Sequence, residues 1–86
     1  MTIDGGLRKL FQTNIPYVHW VSVESGGTSR GIPDANGCLD GKEFWIEFKQ
    51  CAHWKVPLRA EQIGWLLRRT RAGGRTFIAV WRADTE

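Results

Sequence analysis

The sequence predicts an α/β fold, a small mixed sheet flanked by helices in the order αβββαβ. Three observations carry this expectation. Residues 4–13 and 58–72 place apolar side chains at helical spacing. Residues 17–24 and 43–50 are rich in the aromatic and β-branched residues that suit strands. The run "TFIAVW", residues 76–81, is continuously apolar, as strands covered on both faces are.

The first helix sets Leu7, Leu10 and Phe11 on one side, with Arg8, Lys9 and Gln12 between them. Asn14 and Pro16 stop it, and "YVHWVSVE" follows as strand one. The stretch "SGGTSRGIPDANG" is dense in Gly, Ser, Asn and Pro and reads as a loop leading into a short second strand over residues 34–39. Asp40-Gly41 is a two-residue hairpin signal. Strand three, "EFWIEFKQ", alternates, so Phe44, Ile46 and Phe48 share one face while Trp45, Glu47 and Lys49 share the other. After "CAHWKVP", the second helix lines up Leu58, Ile63, Leu66, Leu67 and Thr70, and Gly73-Gly74 ends it. The last strand is expected to pair in parallel and to be covered on both faces.

Eighty-six residues, 42% hydrophobic and with five Trp, suffice for one folded domain spanning residues 1–86 and argue against disorder. No apolar run approaches the ~18 residues that cross a bilayer, and "MTIDGGLRKLF" carries no secretory hydrophobic block. A cytoplasmic location without membrane association is expected, with Cys38 and Cys51 reduced. The net charge of +3 hides a split. Residues 1–49 carry five basic and six acidic side chains, a balance of −1; residues 50–86 carry seven basic and three acidic, a balance of +4. A basic second half suits a polyanion such as nucleic acid.

The chemistry concentrates at Asp34, Glu47 and Lys49. Asp34 opens strand two and Glu47 lies in strand three, and the Asp40-Gly41 turn folds the two strands together. Lys49 joins them because residues i and i+2 of a strand project from one face. Each has a plainer use, Glu47 with Lys49 as a surface pair and Asp34 as a turn residue after Pro33. Together they would be costly on one sheet face unless paired or holding a cation. Mg²⁺ takes oxygen ligands, needs only one or two carboxylates and leaves room for a phosphate. Asp34 and Glu47 meet that requirement, and the backbone carbonyl of Phe48 could add a third oxygen. Lys49 would then orient a water or steady a developing anion.

The stretches "SRGIPDANGCLDGKEFWIEFKQ" and "LRAEQIGWLLRRTRAGGRTFIAVWR" resemble the PD-(D/E)xK (restriction-endonuclease-like) nuclease superfamily, most closely its virus-type replication-repair nuclease branch, the VRR-NUC domain. The resemblance covers nearly the whole chain. The family's Gly-x-Pro-Asp, Glu-x-Lys and helical Gln fall on Gly31, Asp34, Glu47, Lys49 and Gln62, and its core order is αβββαβ. It implies a metal-dependent endodeoxyribonuclease using Mg²⁺ or Mn²⁺, with Asp34 and Glu47 as ligands, Lys49 as the catalytic lysine and Gln62 beside the site. It also implies a homodimer of phage or prophage origin acting on branched DNA such as Holliday junctions or flaps, with no small-molecule substrate. Related enzymes often carry an acid on the first helix; Asp4 stands at that helix's start, and Glu24 is the alternative.

Arg68, Arg69, Arg71 and Arg75 form the densest charge cluster and could contact phosphates, although a solvated helix face looks the same in sequence. Ser29 and Arg30 lie in the loop beside Asp34 and could meet the scissile strand. His19, His53, Cys38 and Cys51 lack zinc-site spacing. Trp20, Trp45, Trp65 and Trp81 fall within predicted elements and suit packing, which leaves Trp54, in a loop, as the residue for base stacking. Two readings compete with a nuclease: a nucleic-acid-binding protein with this fold and no activity, and a partner of another protein whose charges serve an interface.

Overall fold

A computed structural model describes residues 3–23 and 31–82, with side chains from Gly6 onward. Helix α1 spans Ile3–Asn14, strand β1 His19–Ser22, β2 Ala35–Leu39 and β3 Lys42–Cys51; helix α2 spans Ala60–Arg71 and strand β4 Thr76–Arg82. The order is the predicted αβββαβ. The four strands form one sheet in the order β1-β2-β3-β4. The first three are antiparallel neighbours, and β4 runs parallel to β3. A two-residue turn at Asp40 (φ 51°) and Gly41 (φ 76°) joins β2 to β3, as the Asp-Gly pair predicts.

The alternation of β3 divides the molecule into two layers. Ile46 and Phe48 face α1, where they form a core with Leu7 and Ala35, backed by Phe11, Trp20 and Ala79. Edge-to-face ring contacts extend that layer, Phe11 to Phe48 at 5.2 Å and Trp20 to Phe44 at 5.6 Å. The opposite face of β3, with Trp45, Glu47 and Lys49, turns toward α2, where Trp45 meets Trp65 at 5.3 Å.

Strand one is shorter than its sequence suggests. Residues 16–18 form turn and bend, and the Trp20 indole N–H donates to the Ile15 carbonyl at 2.9 Å, so pairing begins only at His19. The second helix begins at Ala60 rather than at Leu58, because Arg59 is extended (φ −81°, ψ 157°) and stands as the N-cap. It ends as Gly73-Gly74 predict: the Gly73 N–H reaches the Thr70 carbonyl and the Gly74 N–H the Arg69 carbonyl, a Schellman motif.

Strand β4 corrects the expectation of a strand covered on both faces. It lies at the sheet edge, with Phe77 53% exposed and Ile78 and Trp81 also open to solvent. The apolar side of α2 is similarly unburied. Leu58, Ile63, Leu66, Leu67 and Thr70 do share one side, but they line a groove of about 360 Å³ against Thr76, Phe77 and Ile78. A continuous apolar run reports a demand for burial and not which element meets it.

Candidate functional site

The register of the β2–β3 hairpin brings the two carboxylates together. Ala35 pairs with Ile46, and continuing one residue sets Asp34 across from Glu47. Opposite residues of an antiparallel pair project to the same face. Asp34 also closes the ladder with its side chain, its Oδ2 accepting the Phe48 N–H at 2.9 Å. A strand residue's N–H and C=O point to the same side. The Phe48 carbonyl therefore faces the side where β2 has ended, next to Asp34.

The segment before Asp34 is pressed against the start of α2. Gly31 has φ +84°, and a Cβ there would stand 2.1 Å from the Glu61 carbonyl oxygen. Only glycine fits both conditions. Pro33 is fully buried. The Gly-x-Pro-Asp stretch thus docks the loop on α2 and delivers Asp34 to the end of β2.

Glu47 is 3% exposed. Its Oε2 accepts the Gln62 Nε2 at 2.7 Å and lies 3.3 Å from the Lys49 Nζ. Its Oε1 is buried with no hydrogen-bond partner. Burial first, and the negative charge of Asp34 second, push the Glu47 carboxyl above its ordinary value of 4.5; Lys49, by charge and hydrogen bond, and the Asp34 backbone pull the other way. A buried carboxylate facing a second acid, with one oxygen unsatisfied, is the environment that a cation would relieve. The donor set of Asp34, Glu47 and the Phe48 carbonyl is all oxygen and suits Mg²⁺ or Mn²⁺. Among the described residues no group of three or more His, Cys, Asp or Glu could hold a metal ion, and the described acids of the site are Asp34 and Glu47.

Gln62 is the buried residue of α2 and has two partners. While Nε2 serves Glu47, Oε1 accepts the Arg59 backbone N–H at 2.9 Å, and the Gln62 N–H meets the Arg59 carbonyl at 3.0 Å. Arg has no side-chain acceptor, so the helix cap is made by Gln62 and by backbone alone.

The structure therefore brings together Asp34, Glu47, Lys49 and Gln62. The arginines stand apart, since Arg68 to Arg71 lie roughly 9–14 Å along α2 from Gln62 at 1.5 Å per residue. Arg75 follows α2 and reaches the Glu43 carbonyl at 3.4 Å, near the start of β3. Arg69 does not simply extend into solvent: its guanidinium lies 4.8 Å from the centre of the Trp65 ring and 5.4 Å from that of Trp45. That cluster went unread in the sequence, although Trp65 and Arg69 at i, i+4 and Trp45 two residues before Glu47 were its signal. Asp4 falls within α1 with its side chain outside the described residues, as do Glu24, Ser29 and Arg30 entirely.

Comparison of the chain with protein-family models, with curated proteins and with solved structures finds no match. No helix among the described residues is long and apolar enough to cross a membrane.

Proposed function

We propose that this chain is a metal-dependent DNA endonuclease of the PD-(D/E)xK superfamily and its VRR-NUC branch, hydrolysing phosphodiester bonds in branched DNA. The observation that carries the reading is the unsatisfied Oε1 of buried Glu47, set across from Asp34 and beside Lys49. Asp34, Glu47 and the Phe48 carbonyl would hold Mg²⁺ or Mn²⁺. The ion, when bound, supplies an acidified water and screens charge on the phosphate.

The protein's own groups do the rest. Lys49, with its side chain 13% exposed, lies against Glu47 from one side, and its ammonium would meet a phosphate oxygen bound at the site. Gln62 holds the Glu47 carboxylate against rotation. The basic side chains after Lys49 favour a polyanion, and Arg68, Arg71 and Arg75 extend that field away from the site to grip flanking phosphates. Ser29 and Arg30 precede the Gly31 turn in sequence and belong to the same proposed contact.

A homodimer completes the proposal, with a second copy as the occupant of the open β4 edge. Antiparallel pairing of two β4 strands about Ala79 would set Phe77 across from the partner copy's Trp81 and Ile78 across from its Val80. This would cover part of the apolar side chains that β4 leaves exposed and remove an unpaired edge. Two sites on one rigid body suit a branched substrate that offers two strands.

The test is incubation of purified protein with a four-way junction, a flap and a linear duplex in Mg²⁺ or Mn²⁺, beside Asp34→Ala and Lys49→Ala. Metal-dependent cleavage of branched DNA, lost in both variants, is expected. Absence of cleavage with either metal leaves a binding protein of the same fold.

A further inference from the structure

His53 and Trp54 form the tip of a tight turn that nothing in the site described so far uses. Both have left-handed backbones, φ 55° and 61°, and the turn is closed by the Lys55 N–H on the Ala52 carbonyl at 3.1 Å. Two consecutive positive φ angles mark a type I′ turn, whose positions are normally filled by Asn and Gly because larger side chains are strained there. Strain of this kind persists where the surroundings hold it and where it does something. Burial is not the return, since Trp54 is 66% exposed. The Arg82 guanidinium lies over its ring, 4.9 Å from the centre, and steadies the indole from one side.

The turn's place in the chain gives it a use. It follows β3 directly, after Glu47 and Lys49, and it precedes the Arg59 cap and Gln62 of α2. It therefore springs from between the two elements that carry the site. At about 3.3 Å per strand residue its tip lies roughly 10–15 Å beyond Lys49, a few nucleotides along a strand that crosses the site.

We infer that Trp54 is a base-stacking residue, which receives an unpaired nucleobase from the strand crossing the site, with Arg82 adding positive charge at the same spot. Resting on the nuclease reading for the strand's path, this deepens it: the site prefers strands with unstacked bases next to the cut. Stacking on an indole is tolerant of sequence because every base has a π face, so the preference is for structure.

The experiment measures binding of labelled single-stranded DNA and of a four-way junction by fluorescence anisotropy, without divalent metal. Trp54→Ala should weaken single-strand binding about 5- to 150-fold, the equivalent of one stacked base at about 1–3 kcal/mol, while Trp54→Phe stays within about threefold of wild type. An oligonucleotide of abasic sites should erase the difference between wild type and Trp54→Ala. The double variant His53→Asn, Trp54→Gly supplies the residues that the turn favours, so it should melt higher than wild type and still bind weakly. Equal binding by Trp54→Ala, a loss of affinity that only tracks loss of folding, or no binding of either DNA by wild type overturns the inference. Wild-type cleavage with Mn²⁺ reports separately on the nuclease reading: Trp54-dependent binding without any cutting would remove that reading and keep this one.

Discussion

Gln62 joins the charge state of Glu47 to the start of α2: its Nε2 donates to the Glu47 Oε2 at 2.7 Å while its Oε1 accepts the Arg59 N–H at 2.9 Å. A carboxylate only accepts and a backbone N–H only donates, so these partners determine which way the amide points. One side chain therefore caps a helix and braces a buried acid. Sheet and helix are held at the site by a polar contact in a region where the apolar side of α2 faces a groove.

Gln62→Ala removes both bonds. Loss of a cap at about 1 kcal/mol and of a hydrogen bond to a charged group at about 1.5–3 kcal/mol predicts destabilisation of roughly 2–4 kcal/mol in urea unfolding. A change below about 0.5 kcal/mol, the size of an ordinary surface substitution, would show that the brace is not structural. Gln62→Glu can still accept from Arg59 but sets a carboxylate against Glu47, so its stability should fall more steeply with pH than that of wild type.

The pH dependence of the metal-free protein follows from Glu47. Its carboxyl binds a proton more tightly in the folded chain than in the unfolded one, through burial first and Asp34 second. Such a group stabilises the fold fully below its ordinary value of 4.5, and that contribution is lost as pH rises through the raised folded value. The difference in melting temperature between wild type and Glu47→Gln should therefore grow in favour of the variant as pH rises from 4 toward neutrality. A difference that is flat with pH would contradict the assignment of a raised Glu47.

Divalent metal should reverse this penalty. Mn²⁺ titrated into wild type is expected to give heat, release a fraction of a proton and raise the melting temperature, by the equivalent of about 2.7 kcal/mol at a hundredfold excess over Kd. Asp34→Asn and Glu47→Gln should abolish all three effects. Calorimetry showing no wild-type heat at millimolar Mn²⁺ would count against a metal site.

Gly31→Ala tests the docking of the Gly-x-Pro-Asp stretch. The new methyl would meet the Glu61 carbonyl at 2.1 Å in a backbone at φ +84°. A left-handed alanine at about 1–2 kcal/mol and overpacking at about 1–3 kcal/mol together predict a loss of roughly 2–5 kcal/mol. Gly41→Ala is the control, with φ +76° and open space around it, and should show the backbone cost alone. Equal losses in the two variants would mean that the contact with α2 is unimportant.

The open edge of β4 predicts self-association. Light scattering after size exclusion should give twice the 9.8 kDa chain mass for wild type and the single mass for Phe77→Glu, with the fold intact by circular dichroism. A wild type that stays monomeric at tens of micromolar disposes of the dimer.

Much of this was legible in the chain because it depends on short-range geometry. Strand alternation assigned Phe44, Ile46 and Phe48 to one face and Trp45, Glu47 and Lys49 to the other. The Asp40-Gly41 pair, once read as a two-residue turn, leaves a single register and so places Asp34 opposite Glu47. The Gly73-Gly74 stop followed from an equally local rule, whereas the parallel pairing of β4 was expected from a burial on both faces that the strand does not have.

What the sequence determined by itself was the order of elements, the hairpin register and the convergence of two acids and a lysine, all consequences of backbone periods and turn chemistry. Tertiary structure alone decided that Glu47 is buried with Oε1 unsatisfied, that Gln62 braces it while capping α2, and that Arg69 lies across Trp45 and Trp65. It also decided that β4 is an edge. Burial and long-range contact depend on how separate elements stack in space, and a periodicity within one segment carries no information about what lies across from it.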